Sequence, residues 1–446
     1  MHDQGMGHIA FGAPDIASYH LHERLRRSLL QRGHTVTVLC SDAAAFTFWQ
    51  CQGESVVDLL ATTREATSCP SSRLPVQLDR RAKAWLARLQ PGAERWFDSA
   101  RPDLLLLHQR RGPDQRLLQD IAQQRGCRVL WCGEGLLPHT LQVDERGLDG
   151  DASACQRSAI EFRAMQSDAP FLQACLANAL AASTPCALPR RDPIAPALWS
   201  RCMDLLPMWR DRGWLAAARS LRGWTAAWAP LAAADASPYR LPLCPFLTVL
   251  LQDADTTRVR FDADAAAGPH DLIEAAHAAR QLLDPSLELV VVDSPLGFGR
   301  KSAAAKAKHI LVPAHAAATA ASIAVATITI NHPMATAGLL AGTPVLHLGA
   351  ALYGLRGVTT RTTLPDLHVA LREAVTHDHP ALRQRYLTWL LGYGHVWCSG
   401  TEPDHNGLLG FVQAIERRLQ TAPGHAPRIE YRKGPAWPLS APARPQ

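Results

Sequence analysis

The sequence predicts an α/β protein with two doubly wound domains that face a central cleft. Three features indicate this class. Short apolar runs alternate with amphipathic helical stretches in both halves of the chain, the runs are apolar throughout, and one central stretch interrupts the alternation. Continuous apolar strands separated by helices are typical of a parallel sheet that is covered on both faces. A chain of 446 residues is long enough for two such domains, each with its own core.

The first domain is predicted to span residues 1–154. A helix over residues 18–32 has leucines on one face and leads into the strand HTVTVLC, residues 34–40. PDLLLLH (102–108) and CRVLWCGEG (127–135) are the next strands, and the stretch LLQDIAQQRG between them is helical. This alternation predicts a Rossmann-like domain, in which ligands bind at the carboxyl ends of the strands.

The second domain is predicted to span residues 241–420. Its strands are FLTVLLQ (246–252), LELVVVDS (287–294), HILVP (309–313), ATITIN (326–331) and PVLHLG (344–349). HNGLLGFVQAIERRL is expected to close this domain as its last helix. The remaining residues, 421–446, are rich in Pro and predicted to be disordered.

Residues 155–240 form the interrupting stretch and are predicted to be a helical insert or linker. This stretch contains several tryptophans interspersed with arginines, and Trp214, Leu221 and Trp228 recur every seven residues on one helix face. A helix packed between the two domains explains this pattern. A basic, Trp-bearing helix that lies on an anionic membrane explains it too.

The amino-acid composition limits the classes of function that this protein can have. The net charge of +6 is spread along the chain, which disfavours a nucleic-acid binder and suits an anionic substrate or a membrane surface. The 11 cysteines show no CxxC spacing, and Cys40, Cys132 and Cys175 lie in apparent strands and helices as small buried hydrophobes. With no signal segment and no apolar run of spanning length, the sequence predicts a cytoplasmic protein.

Several common sites are excluded by their spacing. GFGRKSAAAK resembles a phosphate loop, but Gly297 and Gly299 are followed directly by Arg300 and Lys301, which is not the Walker A order. No GxSxG elbow, HExxH pair or GxGxxG after a strand is present, and His20 and His22 point to different sides of a helix. We therefore predict neither a bound metal nor a cofactor.

Three other stretches carry a family resemblance. They are EGLLPHTLQVDERGLDGDAS (134–153), VLLQDADTTRVRF (249–261) and ITINHPMATAGLLAGTPVLHLGAALY (328–353), the last continuing to Thr359. In this order and spacing they resemble the bacterial capsule polysaccharide biosynthesis and export family. Its characterised members are retaining β-Kdo transferases (Kdo is 3-deoxy-manno-octulosonic acid), which use CMP-Kdo to build a lipid-linked glycan at the inner membrane.

The matching positions are Glu134, Gly135, Pro138, Asp144, Gly147, Gln252, Asp255, Asn331, Leu339, Gly342, Pro344, Gly349, Tyr353, Gly357 and Thr359. The departures fall at polar family positions. Leu137 stands where Arg is usual, and Asp149 stands where Asn is usual. In the family's Asn-Ser-Thr turn, His332 and Pro333 replace the Ser and Thr. Ala335 and Ala337 replace the Gly and the acidic residue that follow the turn. Residues 292–295 replace the family's Lys-x-His-Pro motif.

The resemblance implies a GT-B-like glycosyltransferase in which Asp255 attacks the donor sugar and Glu134 activates the acceptor hydroxyl. A turn or helix-capping residue remains the alternative for Asp255, and a solvated loop acid remains the alternative for Glu134. We expect the sites to be Gln252, Asn331, His332 and Tyr353 for the donor, and Arg110, Arg111 and Asp144 for the acceptor.

Asn331 is also expected to cap the helix that follows it. The unbonded backbone N–H groups at the start of that helix are expected to bind phosphate. His332 could add a charge-assisted contact to phosphate or simply face solvent, and Tyr353 could contact the nucleotide or be a core aromatic.

Three functions are consistent with these residues. The first is an active glycosyltransferase that moves a Kdo-like sugar from a nucleotide sugar to a lipid-linked glycan at the inner membrane. The second is a non-catalytic relative that works as a partner in the capsule assembly complex. The third is an unrelated two-domain transferase that uses a UDP-sugar. Responses to CMP, UDP and GDP distinguish the three.

Overall fold

The computed structural model describes residues 6–14, 19–41, 45–46, 49–50, 55–60, 80–108, 113–181, 239–252, 268–294, 309–398 and 403–420. These residues form two separate sheets, one of seven strands and one of six. Neighbouring strands are parallel except in the first sheet, where the strand Leu141–Asp144 pairs antiparallel with Arg128–Glu134 on one side and with His395–Val396 on the other. The prediction of two Rossmann-like α/β domains is therefore confirmed.

The first sheet has the order β13-β6-β5-β4-β1-β2-β3. Its strands are β1 (His8–Gly12), β2 (Thr35–Cys40), β3 (Val56–Asp58), β4 (Leu104–His108), β5 (Arg128–Glu134), β6 (Leu141–Asp144) and β13 (His395–Val396). The central strands β1 and β4 are buried almost completely, because helices cover both faces of the sheet. This burial explains the uniformly apolar runs, and each fully buried Leu contributes about 1.5–3 kcal/mol relative to an exposed one.

The helices of this domain are α1 (Tyr19–Gln31), α2 (Arg80–Ala100), α3 (Pro113–Gln124) and α10 (His405–Gln420). One face of the sheet packs against α1 and α10, and the other packs against α2 and α3. Short 3-10 turns and α4 (Ala169–Ala181) follow β6.

The second sheet has the order β12-β11-β10-β7-β8-β9. Its strands are β7 (Phe246–Leu250), β8 (Glu288–Val292), β9 (Ile310–Val312), β10 (Ala326–Thr329), β11 (Val345–His347) and β12 (Thr360–Arg361). If β7–β12 are numbered 1–6 within this domain, the strand order from β9 to β12 is 3-2-1-4-5-6, which is the Rossmann arrangement. The order reverses direction between β7 and β10, so the sheet has its switch point there.

The helices of the second domain are α5 (Pro269–Leu283), α6 (Ala317–Ile323), α7 (Ala335–Ala341), α8 (Leu367–Thr376) and α9 (Pro380–Tyr393). α5 and α8 cover one face of the sheet. α6, α7 and α9 cover the other face and pack there with α4.

An apolar cluster joins the two domains. It contains Leu136 and Leu137, which follow β5 of the first sheet, together with Leu352 and Leu355, which follow β11 of the second. The Cys155 thiol also donates to the Ala351 carbonyl at 3.5 Å. Since β5 and β11 both end at the carboxyl edge of their sheets, these two edges meet at the junction.

The last part of the chain returns to the first domain. β13 pairs antiparallel with β6, and α10 contributes Phe411 and Ile415 to the core that lies beside α1. The closing helix therefore packs on the first sheet, and its assignment to the second domain was wrong. The pattern of apolar residues shows which face of a helix is buried, but it does not show which sheet covers that face.

An ion pair between the exposed Arg32 and the buried Glu416 fastens α10. Arg32 donates to both carboxylate oxygens of Glu416, at 2.5 and 2.9 Å, and His34 lies 3.4 Å from the same carboxylate. The Glu416 hydrogen bond raises the pKa of Arg32. Arg128 adds a bond to the Arg418 carbonyl at 2.7 Å, near the carboxyl end of the helix.

Replacing Glu416 with Gln is expected to lower the free energy of unfolding by about 1–2 kcal/mol, because charge-assisted hydrogen bonds to a largely buried carboxylate are lost. Urea denaturation measures this change. Asp98→Asn is the matched control, since Asp98 makes a similar two-oxygen contact to Arg125 with its side chain 63% exposed. The control should change stability by less than about 0.5 kcal/mol. Equal losses would contradict the role given to Glu416.

The three cysteines expected to be buried, Cys40, Cys132 and Cys175, are buried. Burial raises the pKa of Cys175 to about 12, as expected for an unreactive thiol in an apolar core. The tryptophan-rich part of the predicted insert (182–238) and the tail (421–446) lie outside the described residues. In the described part of the chain, no helix is both long enough and apolar enough to cross a bilayer.

Candidate functional site

Two amide side chains meet at the switch point of the second sheet. Gln252 follows β7 and Asn331 follows β10, and both are buried. The Gln252 amide donates to the Asn331 side-chain oxygen at 3.0 Å and accepts the Asn331 backbone N–H at 3.0 Å. Ligands of doubly wound sheets bind in the crevice at this point. Gln252 and Asn331, two of the four residues predicted to bind the donor sugar nucleotide, are therefore joined to each other at this switch point.

The turn after Asn331 is organised by His332. Its backbone N–H donates to Thr329 Oγ1 at 3.1 Å, and its ring Nδ1 accepts the Met334 N–H at 3.1 Å. The His332 carbonyl accepts the Ala335 N–H at 3.1 Å and so begins the helical turn that leads into α7. Because Nδ1 acts as an acceptor, the proton of the neutral ring lies on Nε2.

The expectation that Asn331 caps α7 was wrong. The Asn331 side-chain N–H donates to the Ala350 carbonyl at 3.2 Å, and its oxygen accepts the bond from Gln252. Both polar atoms of this side chain are therefore bonded within the sheet, and α7 begins at Ala335 without a side-chain cap. His332 and Pro333 lie in the turn before the helix, where the His332 ring accepts the Met334 N–H.

Tyr353 shapes this turn from within the core. Its side chain is completely buried, and its hydroxyl donates to the His332 carbonyl at 3.1 Å. The ring also packs edge-on against His347, with centroids 6.0 Å apart. The predicted stacking of Tyr353 on a nucleotide does not fit this burial. The alternative, a core aromatic, is what the structure has.

Tyr353→Phe is expected to cost about 0.5–1.5 kcal/mol of unfolding free energy, since one buried hydrogen bond is removed while the ring remains. Thermal unfolding measures the loss. Tyr386→Phe is the matched control for a buried tyrosine that does not bond to the turn, because its hydroxyl donates to the Leu352 carbonyl at 2.7 Å instead. Both variants should lose similar stability, but only Tyr353→Phe should change nucleotide binding. Equal effects on binding would contradict this role.

Glu134 lies at the carboxyl edge of the first sheet. It is the last residue of β5 and is exposed, whereas the preceding residues of the strand are largely buried. The hairpin that follows carries Leu137, which is only 3% exposed and packs in the junction between domains. Arg, usual in the resembling family at position 137, would place a charge in that apolar cluster. Asp255, Arg110 and Arg111 lie outside the described residues.

Asp144 was expected to bind the acceptor, but its carboxylate is occupied by its own loop. One oxygen accepts the N–H groups of Arg146 and Gly147, at 2.8 and 3.2 Å. The other oxygen accepts the N–H and hydroxyl of Ser153, at 2.9 and 2.6 Å. Asp144 therefore shapes the loop after β6. This role corrects the prediction that Asp144 binds the acceptor substrate.

A pair of histidines at the switch point of the first sheet was missed. His108 is the last residue of β4, and His22 lies on α1. Their rings meet edge-to-face with centroids 4.8 Å apart, and Phe11 lies 5.4 Å from His22. The available signal was the position of His108 at the end of a predicted strand. The sequence gives no signal for the partner, because His22 lies on a helix that packs against the strand.

A cavity of about 860 Å³ lies at the opposite, amino-terminal edge of the first sheet. Charged residues line it, but many of these charges serve the fold. Arg125 is paired with Asp98 and lowers the pKa of that carboxyl, and Arg128 bonds to α10. Since this edge holds neither strand carboxyl ends nor a switch point, we do not assign the site to it.

No metal site is evident in the described ranges, since no group of three or more His, Cys, Asp and Glu side chains could hold an ion there. The candidate site thus consists of the amide pair and His332 on the second sheet and Glu134 on the first. Polar groups at the meeting edges of two parallel sheets can bind a polar ligand and transfer a proton.

No protein-family model matches this chain, and no curated protein is significantly similar to it. Similar solved structures include the glycotransferase of kitacinnamycin, at 16% identity and a TM-score of 0.35, covering 93% of this chain and 100% of that one. Another is the β-Kdo 2,4 transferase KpsC of Thermosulfurimonas dismutans, at 13% identity and a TM-score of 0.40, covering 71% of this chain and 87% of that one.

The UDP-GlcNAc 2-epimerase of Neisseria meningitidis is also similar, at 9% identity and a TM-score of 0.32, with 92% of this chain and 98% of that one covered. TM-scores below 0.5 mark only a loose likeness. The two-domain architecture stands on the strand order and packing described above.

Proposed function

We propose that this protein is a glycosyltransferase that moves a sugar from a nucleotide-sugar donor to a hydroxyl group of a glycan acceptor. One observation carries the proposal. The three stretches of the family resemblance are far apart in the sequence, yet described residues from each lie at the meeting edges of the two sheets. Gln252 bonds to Asn331 directly, and Leu136 packs in the same cluster as Leu352.

The donor is assigned to the second domain. The Gln252–Asn331 pair closes the floor of the switch point, where a nucleotide binds in Rossmann-like sheets. His332 turns its Nε2 away from the backbone bond made by Nδ1, so Nε2–H is the donor suited to a phosphate oxygen. Tyr353 and Ala350 hold this turn in place through two further bonds.

Glu134 is the proposed base. The acceptor oxygen forms a bond to the anomeric carbon of the sugar while its proton passes to the Glu134 carboxylate, and the bond from that carbon to the leaving group, either the nucleotide or Asp255, breaks. In the retaining, β-Kdo-like form of the proposal, Asp255 first displaces the nucleotide and holds the sugar covalently, and the acceptor then displaces Asp255. CMP-Kdo, a lipid-linked glycan and contact with the inner membrane belong to this finer form.

A second candidate function has its own support. Leu137, Ala335 and Ala337, which replace an Arg and other family residues, are all buried in the apolar cluster between the domains. A site that has lost polar groups to a packed junction suits a donor other than CMP-Kdo. It equally suits a non-catalytic relative that acts as a partner in a capsule assembly complex.

A thermal-shift panel with CMP, UDP and GDP tests the proposal. Stabilisation by CMP supports the family's donor, and stabilisation by UDP supports a UDP-sugar transferase. No response to any of the three contradicts the transferase proposal and favours the non-catalytic partner. The Asn331→Asp variant is a useful second sample. The substitution keeps the size of the side chain but places a negative charge beside the expected phosphate. It should therefore weaken any stabilisation by nucleotide.

A further inference from the structure

The hairpin between β5 and β6 exposes two titratable side chains. From Val129 to Asp144 the chain is buried or half-buried except at Glu134 and His139. Glu134 ends β5, and His139 lies at the tip of the hairpin. The remainder of the tip is anchored, since Leu136 and Leu137 are buried in the junction between the domains.

A tight turn fixes the position of His139. The Thr140 N–H donates to the Leu137 carbonyl at 3.3 Å, which closes a four-residue turn with Pro138 in its second position. His139 occupies the third position with a φ of 57°. Pro in the second position and a positive φ in the third define a type II turn, in which Gly is the preferred third residue. A side chain here costs about 1 kcal/mol.

Glu134 and His139 belong to the same hairpin. Glu134 pairs with Leu141 across the two strands, and the Gly135 N–H donates to the Thr140 carbonyl at 2.9 Å. These two pairings join the end of β5, which carries Glu134, to the residues that directly follow His139.

The segment that returns from the second domain holds the base of this hairpin. The His395 Nε2 atom accepts the Leu136 N–H at 3.1 Å, and its Nδ1–H donates to the Leu390 carbonyl at 2.9 Å. Gly135 packs so closely on this ring that an added Cβ would lie 2.8 Å from the His395 Cδ2 atom. The hairpin is therefore a rigid support for the two exposed groups.

We propose that His139 binds the acceptor glycan beside Glu134, an inference that rests on the proposed transferase function. A neutral imidazole donates at one nitrogen and accepts at the other, which matches a sugar hydroxyl that does both. A turn that needed only its backbone conformation would be more stable with Gly. The strained histidine at a sheet's carboxyl edge supplies a side chain that Gly lacks.

The test compares His139→Gly with Arg101→Gly. Arg101 also has a positive φ, 44°, but lies before β4 at the opposite edge of the first sheet. Each substitution should leave the melting temperature unchanged or raise it, because strain is relieved. Binding of the methyl glycosides of glucose, galactose, N-acetylglucosamine and Kdo is then measured by saturation-transfer NMR.

We expect the unsubstituted protein to bind at least one glycoside and His139→Gly to bind it about five- to tenfold more weakly, as for one lost hydrogen bond. Arg101→Gly should bind normally, and His139→Asn, which tolerates the turn and can hydrogen-bond, should lie between. The CMP, UDP and GDP responses should be the same in all variants. Normal glycoside binding by His139→Gly, or no glycoside binding by the unsubstituted protein, overturns the inference. A protein that binds glycosides but no nucleotide contradicts the proposed function instead.

Discussion

Glu134→Gln is expected to reduce sugar transfer by at least about 100-fold while leaving the fold intact. A general base contributes about 10²–10⁴-fold to a rate, and Gln keeps the size of the side chain but cannot take the acceptor's proton. The exposed position of Glu134 at the end of β5 means that little packing is disturbed. Turnover of CMP-, UDP- and GDP-sugars, followed by release of the free nucleotide, measures the effect.

The control for this substitution is Asp98→Asn. Asp98 is an exposed carboxylate of the same domain, but it lines the cavity at the amino-terminal edge of the sheet. Its substitution should leave turnover within about twofold of the unsubstituted protein, since no transition-state contact is lost. If Glu134→Gln also retains full turnover, Glu134 is a solvated loop acid and the assigned base is wrong.

Gln252→Leu is expected to have the largest effect on stability, a loss of about 2–4 kcal/mol in unfolding free energy. The substitution removes two hydrogen bonds and leaves the Asn331 N–H and side-chain oxygen buried without their partner. The Asn331 turn should then loosen, so any stabilisation by nucleotide should be lost as well. Urea denaturation and the thermal-shift panel measure the two effects.

Thr248→Val is the matched control on the same strand. Thr248 is fully buried in β7, and its hydroxyl makes no hydrogen bond to the described residues. Val has nearly the same shape without the hydroxyl, so this substitution should be neutral or stabilising and should leave nucleotide binding unchanged. A Gln252→Leu variant that is no less stable than Thr248→Val would contradict the proposed role of the amide pair.

Local sequence patterns were sufficient for the strands and for the positions of some candidate residues at the strand ends. Apolar runs such as residues 102–108 and 246–252 predict buried strands. Both faces of a parallel sheet are covered, so every position of its central strands is apolar. A polar residue at the end of such a run, as with Glu134 and Gln252, lies at the ligand-binding edge of the sheet. These two residues were placed correctly for that reason.

Residues whose roles depend on distant partners were misjudged. The spacing of Tyr353 in the motif predicts a ligand contact. Its side chain is instead buried, and its hydroxyl donates to the carbonyl of His332, 21 residues before it. Asn331 reads as a helix cap, but its partner is Gln252, 79 residues away. Sequence spacing specifies a local conformation and carries no information on which distant atom satisfies a buried polar group.

The sequence alone therefore determined that the chain forms two parallel-sheet domains with polar residues at their strand ends, because burial imposes a local pattern on strands and helices. Only the tertiary structure decided that α10 packs on the first sheet and that Gln252 and Asn331 join across a switch point. It also decided that His139 and Glu134 are the exposed side chains of one anchored hairpin. Each of these facts is a contact between segments, and such contacts follow from packing and hydrogen-bond satisfaction throughout the fold.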